Sequence, residues 1–303
     1  MITIPALSHT VIPDNNFKDP GIQGRIKMDD TGIREEEAPR QGIRNSSLLT
    51  LIITPFIIAI IWQLENFLLA VNPHLFSKAS FPGLVIFTVL SCVLMGIIVP
   101  VLRIQAAFLS GAVNTFQIGF RSVRRTTTAV SITALAGYTF FVFTGDVGGL
   151  DLAGGIILFI FFLPTAIAAV MICWVLIGTH IQAYVRQGGA IISICTGTLV
   201  TALIFAVSMS IFFIGPDFRQ IFSGFFVAGL ISALFFFAFR DVYATAIIVT
   251  SGLMILLNAR IDPEYLNTFN PVIVFCGFLA IGVLAGTHWH FSRHYRTIVL
   301  PGK

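Results

Sequence analysis

The sequence predicts an all-α fold: a polytopic transmembrane helical bundle of about eight spans, preceded by an extended N-terminal cytoplasmic tail. Three observations carry this. Of 303 residues, 56 % are hydrophobic and 11 % charged, against about 25 % charged in an ordinary soluble domain. Apolar runs of about 20 residues recur, each long enough to cross a hydrocarbon core about 30 Å thick. The basic residues outside the tail collect in alternate breaks between those runs.

The tail spans residues 1–45. It is broken by Pro5, Pro13, Pro20 and Pro39, mixes both signs of charge and has no periodic apolar pattern, so it cannot bury enough surface to order itself. The run Glu35-Glu36-Glu37 offers acids to a basic surface, but exposed ion pairs contribute only about 0–1 kcal/mol each. Order in this tail therefore requires another protein to lie along. Its first residues lack the basic and short apolar regions of a cleaved secretory signal.

The bundle occupies 46–292. Apolar runs between polar breaks place the spans at 48–71, 82–102, 127–144, 152–178, 190–214, 221–239, 242–259 and 271–288. The longest polar interruption is 103–126, with Arg103, Arg121, Arg124 and Arg125 and no acid. Ile104, Ala107, Phe108, Ala112 and Phe116 recur there at helical spacing, which suggests an extension of the second helix or a helix lying in the interface. The turn at Arg240–Asp241 has no Gly or Pro. A single helix over 221–258 would be about 57 Å long, too long for one span, so a tight hairpin is expected. A short basic tail, 293–303, closes the chain.

Positive-inside counting sets the orientation. With the N-terminus inside, the inner breaks and C-terminus hold Arg103, Arg121, Arg124, Arg125, Arg186, Arg240, Arg293, Arg296 and Lys303, while the outer breaks hold Lys78, Arg219 and Arg260. Both termini are thus expected in the cytoplasm, with the protein in a prokaryotic plasma membrane. The arginines of 103–126, with Arg293 and Arg296, are candidates for contact with lipid headgroups or a partner. The net charge of +4 sits at membrane edges and does not indicate nucleic-acid binding.

Few residues suggest chemistry. Glu65 is the one acid well inside a run, beside Gln63 and Asn66. An ionisable group in hydrocarbon is costly unless paired or wetted, which makes Glu65 a candidate for ion coupling or a transport path. The competing reading is an interfacial residue near Trp62, close to the end of its helix. His288, His290 and His294 lie in G-T-H-W-H-F-S-R-H-Y-R. The i, i+4 pair resembles metal-ligand spacing, but the setting fits an aromatic interfacial belt better. Gly282-x-x-x-Gly286 permits close helix packing, expected within the bundle. The cysteines, Cys92, Cys173, Cys195 and Cys276, all fall inside runs with no CxxC spacing and read as small core hydrophobes. No P-loop, HExxH or serine-elbow motif occurs, and no cofactor is implied.

The leading functional reading is a non-catalytic integral subunit or scaffold of a larger membrane complex, whose partners the tail contacts. The alternatives are a small solute or ion transporter using Glu65, and a redox or metal-binding subunit using the histidines.

Overall fold

The computed structural model describes residues 45–71, 81–109, 118–144, 152–185, 188–213, 217–257, 261, 263–268 and 270–294. Among them the secondary structure is helical, with no strand. The polar tail begins before this range, and Arg296 lies after it. Residues 110–117 also fall outside it, so the expected interfacial helix is described only in its first turns and at its end.

Nine helices are described. α1 is Asn45–Val71 and α2 covers 81–109. α3 is Val123–Thr144 and α4 is Leu152–Val185. α5 is Ala190–Ser210, continued by a 3-10 turn to Phe213. α6 is Phe218–Phe239 and α7 is Val242–Leu257. α8 is the short Pro263–Thr268, which the apolar runs did not suggest, and α9 is Asn270–His294.

Every expected span contains a helix. Five of these are long and apolar enough to cross a membrane, those centred on α2, α4, α5, α6 and α9. Two shorter apolar stretches, Ile53–Leu68 and Val242–Leu257, belong to α1 and α7. α3 has the length of a span, 22 residues, but Arg124, Arg125 and its threonines make it much less apolar than the rest. This is an integral membrane helical bundle.

α4 is the axis. Up to Gly178 it is apolar on all sides, the pattern of a helix with no polar face to show, and every residue of Val170–Gly178 is buried. α1, α2, α5, α7 and α9 all pack against it. α5 and α6 pair along their length, and α3 packs against α7. Pro55 in α1 and Pro164 in α4 lie inside their helices, as membrane helices allow when neighbours cover the freed backbone groups.

α2 and α4 each widen into a π-helical stretch, at Thr88–Ile98 and Val170–Gly178; the N–H of Val99 reaches back five residues to Leu94 O. The two helices touch where Gly96 meets Ala168. A Cβ on Gly96 would overlap the Ala168 methyl and lie 3.0 Å from both Ala168 Cα and Ser91 O.

The hairpin between α6 and α7 is real and tight. α6 ends because Arg240 adopts the left-handed conformation, φ 52 and ψ 50, with its N–H on Phe236 O at 2.7 Å. Glycine usually fills this position because a Cβ costs about 1–2 kcal/mol there. α7 starts on Asp241, whose carboxylate accepts the Ala244 N–H at 2.9 Å, the standard N-terminal cap.

Candidate functional site

Three features of the bundle have functional potential: a polar node at its basic end, a polar seam around Glu65, and an outward face of α9.

The node is built on the α6–α7 hairpin. The Arg121 guanidinium donates to Arg240 O at 3.1 Å and Phe239 O at 2.9 Å, closing the carbonyl end of α6. Arg121 O in turn accepts His288 Nε2–H at 2.8 Å, and His288 Nδ1 accepts from the Tyr243 hydroxyl at 3.2 Å. Phe120 stacks on the His288 ring, with centroids 5.1 Å apart. The Asp241 carboxylate accepts the Thr126 hydroxyl at 2.9 Å, which ties the first turn of α3 to that of α7. The Arg240 side chain turns inward, donates to Gln182 Oε1 at the end of α4, and lies over the Phe236 and Phe237 rings. Burial, and then the like charge of Arg121, pull the Arg240 guanidinium down to about 10. Burial and Arg125 lower Arg121 too, against an opposing pull from Asp241. Gly119 passes through the node at φ 85, with Phe236, Val242 and Arg240 close to where a Cβ would stand. Only glycine fits that conformation at little cost.

The expected basic residues divide here. Arg121 is part of the node. Arg103 is bound along α1, donating to Thr54 Oγ1 at 3.1 Å. Arg124, Arg125 and Arg293 are exposed. Of the candidate histidines, His288 is buried with both ring nitrogens engaged and His290 is exposed, while the side chain of His294 lies outside the described residues. Among the described residues no three His, Cys, Asp or Glu side chains are placed to hold a metal ion.

The seam lies where α1 meets α2 and α5. Trp62 Nε1 donates to Ser91 O at 3.1 Å, and Ser91 Oγ donates to Asn66 Oδ1. Trp62, Asn66 and Ser91 are all buried, so Trp62 points into the bundle and does not take the interfacial position its sequence setting suggested. On the other side of α1, Gln63 Nε2 donates to Ser208 Oγ at 2.8 Å, and Ser208 donates to Ile204 O at 2.7 Å. Behind Ser91, Cys92 Sγ lies 3.9 Å from Thr165 Oγ1 of α4. Glu65 is partly buried, and its Oε2 is buried with no hydrogen-bond partner.

The third feature is the outer face of α9. Gly282 and Gly286 do not pack within the chain, contrary to expectation: a Cβ on either would meet nothing within 4 Å. Phe278 and Trp289, 68 % and 67 % exposed, flank them on the same side. The helix turns its other side, with Cys276, Ala280, Leu284 and His288, to the bundle.

Arg240, Asp241, Gln182 and Ser91 were not singled out as site residues from sequence. Asp241 carried a signal, an Asp directly before an apolar run. Gln182 and Ser91 carried none, since their partners lie 58 and 25 residues away.

The sequence matches no protein-family model, and neither a curated protein nor a solved structure is similar to it at a significant level.

Proposed function

We propose that the chain is a non-catalytic integral subunit of a larger membrane assembly, joined to a neighbouring helix through the outer face of α9. The observation that carries this is the open Gly282-x-x-x-Gly286 stripe. Lipid tails are as apolar as leucine, so helices associate in a bilayer by close van der Waals packing, and paired glycines four apart let backbones approach. Inside a monomer such glycines are expected against a neighbouring helix. Here Phe278 and Trp289 stand beside the stripe and would wall a partner helix on both ends. α3 adds support, because its exposed side mixes Ser131, Ala134, Ala136 and Thr139 with Ile132 and Leu135, a surface with little apolar drive toward lipid.

In this reading the basic end faces the cytoplasm of a prokaryotic cell, and the tail, 1–45, lies along a partner. Arg124, Arg125 and Arg293 then meet anionic headgroups or partner acids. The test is Gly282→Leu with Gly286→Leu, purified in mild detergent. Because a Cβ at either position meets nothing within 4 Å, the variant should stay folded and lose its neighbour on native gels and in cross-linking. A wild type that is monomeric without copurifying protein, or a double variant that keeps its neighbour, refutes it.

Transport of an ion or small solute is the second reading, favoured by the unpartnered Oε2 of Glu65.

A further inference from the structure

Glu65 lies six residues before the end of α1 at Val71, a depth of about 9 Å along the axis. Its neighbours on α1 are committed. Asn66 Oδ1 accepts the Ser91 hydroxyl, Trp62 Nε1 donates to Ser91 O, and Gln63 Nε2 donates to Ser208 Oγ. None of these bonds ends on the carboxyl group, and Oε2 is buried with no donor.

Among the described residues no cation is placed against Glu65. The titratable group within electrostatic reach of Glu65 is the thiol of Cys92 on α2, which has Cys276 of α9 beside it. Neither supplies a cation. On the helices that pack against α1, Arg103 of α2 is bonded to Thr54 and stands near His180 of α4. Thr54 is eleven residues from Glu65, about 16 Å along the helix. An ionised carboxylate without a donor or counter-charge inside hydrocarbon is costly by several kcal/mol, so this group must take up a positive ligand. A metal ion draws about six oxygen ligands. The side-chain oxygens of Asn66 and Ser91, on the α2 side of α1, are already held in a hydrogen bond to each other. A proton needs one oxygen and no cage.

We propose that Glu65 is a proton-binding site beside α2 on α1, exchanging its proton with water at the nearby end of α1. The proton is then the ion of the transport reading. The binding claim itself does not rest on flux, on a solute or on the subunit reading, and its failure is separable from theirs.

The experiment labels the wild-type protein in liposomes with dicyclohexylcarbodiimide, which attacks protonated carboxyl groups inside hydrocarbon, and reads each peptide by mass spectrometry over a pH series. Glu65 should label while the exposed Glu264 does not, and the rate should fall about tenfold per pH unit once the proton is lost. Sodium should leave the rate unchanged, and a water-soluble carbodiimide should leave Glu65 unmodified. Infrared difference spectra should show a pH-sensitive protonated carboxyl band that disappears in Glu65→Gln. A Glu65 that does not label overturns the proposal. So does labelling at a rate independent of pH, which means a proton locked away from water. Protection by sodium replaces the proton with a metal cation, and a carboxyl band that survives in Glu65→Gln assigns the proton elsewhere.

Discussion

Replacing Gly96 by alanine adds one methyl group at the point where α2 crosses α4. The new Cβ would overlap the Ala168 methyl and sit 3.0 Å from Ala168 Cα and from Ser91 O. All three neighbours are backbone or β-carbon atoms with no rotamer to yield, and Ala168 is fully buried. The two helices must therefore separate or shear. Overpacking of this kind costs about 1–3 kcal/mol. Against it, alanine is favoured over glycine in a helix by about 0.8–1 kcal/mol. Displacing Ser91 also weakens its bond to Trp62, worth about 1 kcal/mol. The net expectation is a loss of about 1–3 kcal/mol, by combining these ranges. Reversible unfolding in mixed micelles, followed by tryptophan fluorescence, measures it. Gly282→Ala is the internal control: the same change where the Cβ meets nothing should be neutral or stabilising in the isolated chain by up to about 1 kcal/mol. If Gly96→Ala proves as stable as wild type, the close crossing of α2 and α4 is wrong.

Three other outcomes follow from the basic end. Asp241→Ala loses the cap on Ala244 and the tie to Thr126, and should cost about 1–2 kcal/mol in the same unfolding assay, with Asp241→Asn closer to wild type. Arg240→Gly relieves a left-handed residue but deletes a charge-assisted bond to Gln182 and two ring contacts. Those are worth about 1.5–3 kcal/mol against about 1–2 kcal/mol of relief, so the variant should gain nothing or lose stability; a clear gain would show that the inward guanidinium adds none. Cysteines placed at the exposed Arg293 and Glu264 should react with an impermeant maleimide from opposite sides of intact cells, Glu264→Cys from outside; labelling of both from outside would sink the orientation proposed from the basic bias.

The spans were legible because a membrane helix is defined by one chain segment and its solvent. Twenty apolar residues satisfy their own backbone and need no knowledge of neighbours. That is why 152–178 and 271–288 coincide with parts of α4 and α9. The ends were less legible. α4 runs on to Val185 because Thr179, His180 and Gln182 are polar residues buried against other helices, where a hydropathy pattern expects the water to begin. α3 begins at Val123, four residues before its apolar run, with Arg124 and Arg125 in its first turn.

What the sequence alone determined is the class of object: a helical membrane bundle, the positions of its helices, the hairpin at Arg240–Asp241, and Glu65 as an acid within an apolar helix. These follow from local composition and length. Only the tertiary structure decided which side of each helix is covered. Gly282 and Gly286 were expected inward and turn outward, while Trp62 suited an interface and is buried against Ser91. The physical reason lies in the solvent. In water, burial writes itself into a helix as a polar face opposite an apolar one. In lipid the covered and uncovered faces are equally apolar, so the rotation of a helix depends on small residues and single hydrogen bonds to partners far away in the chain.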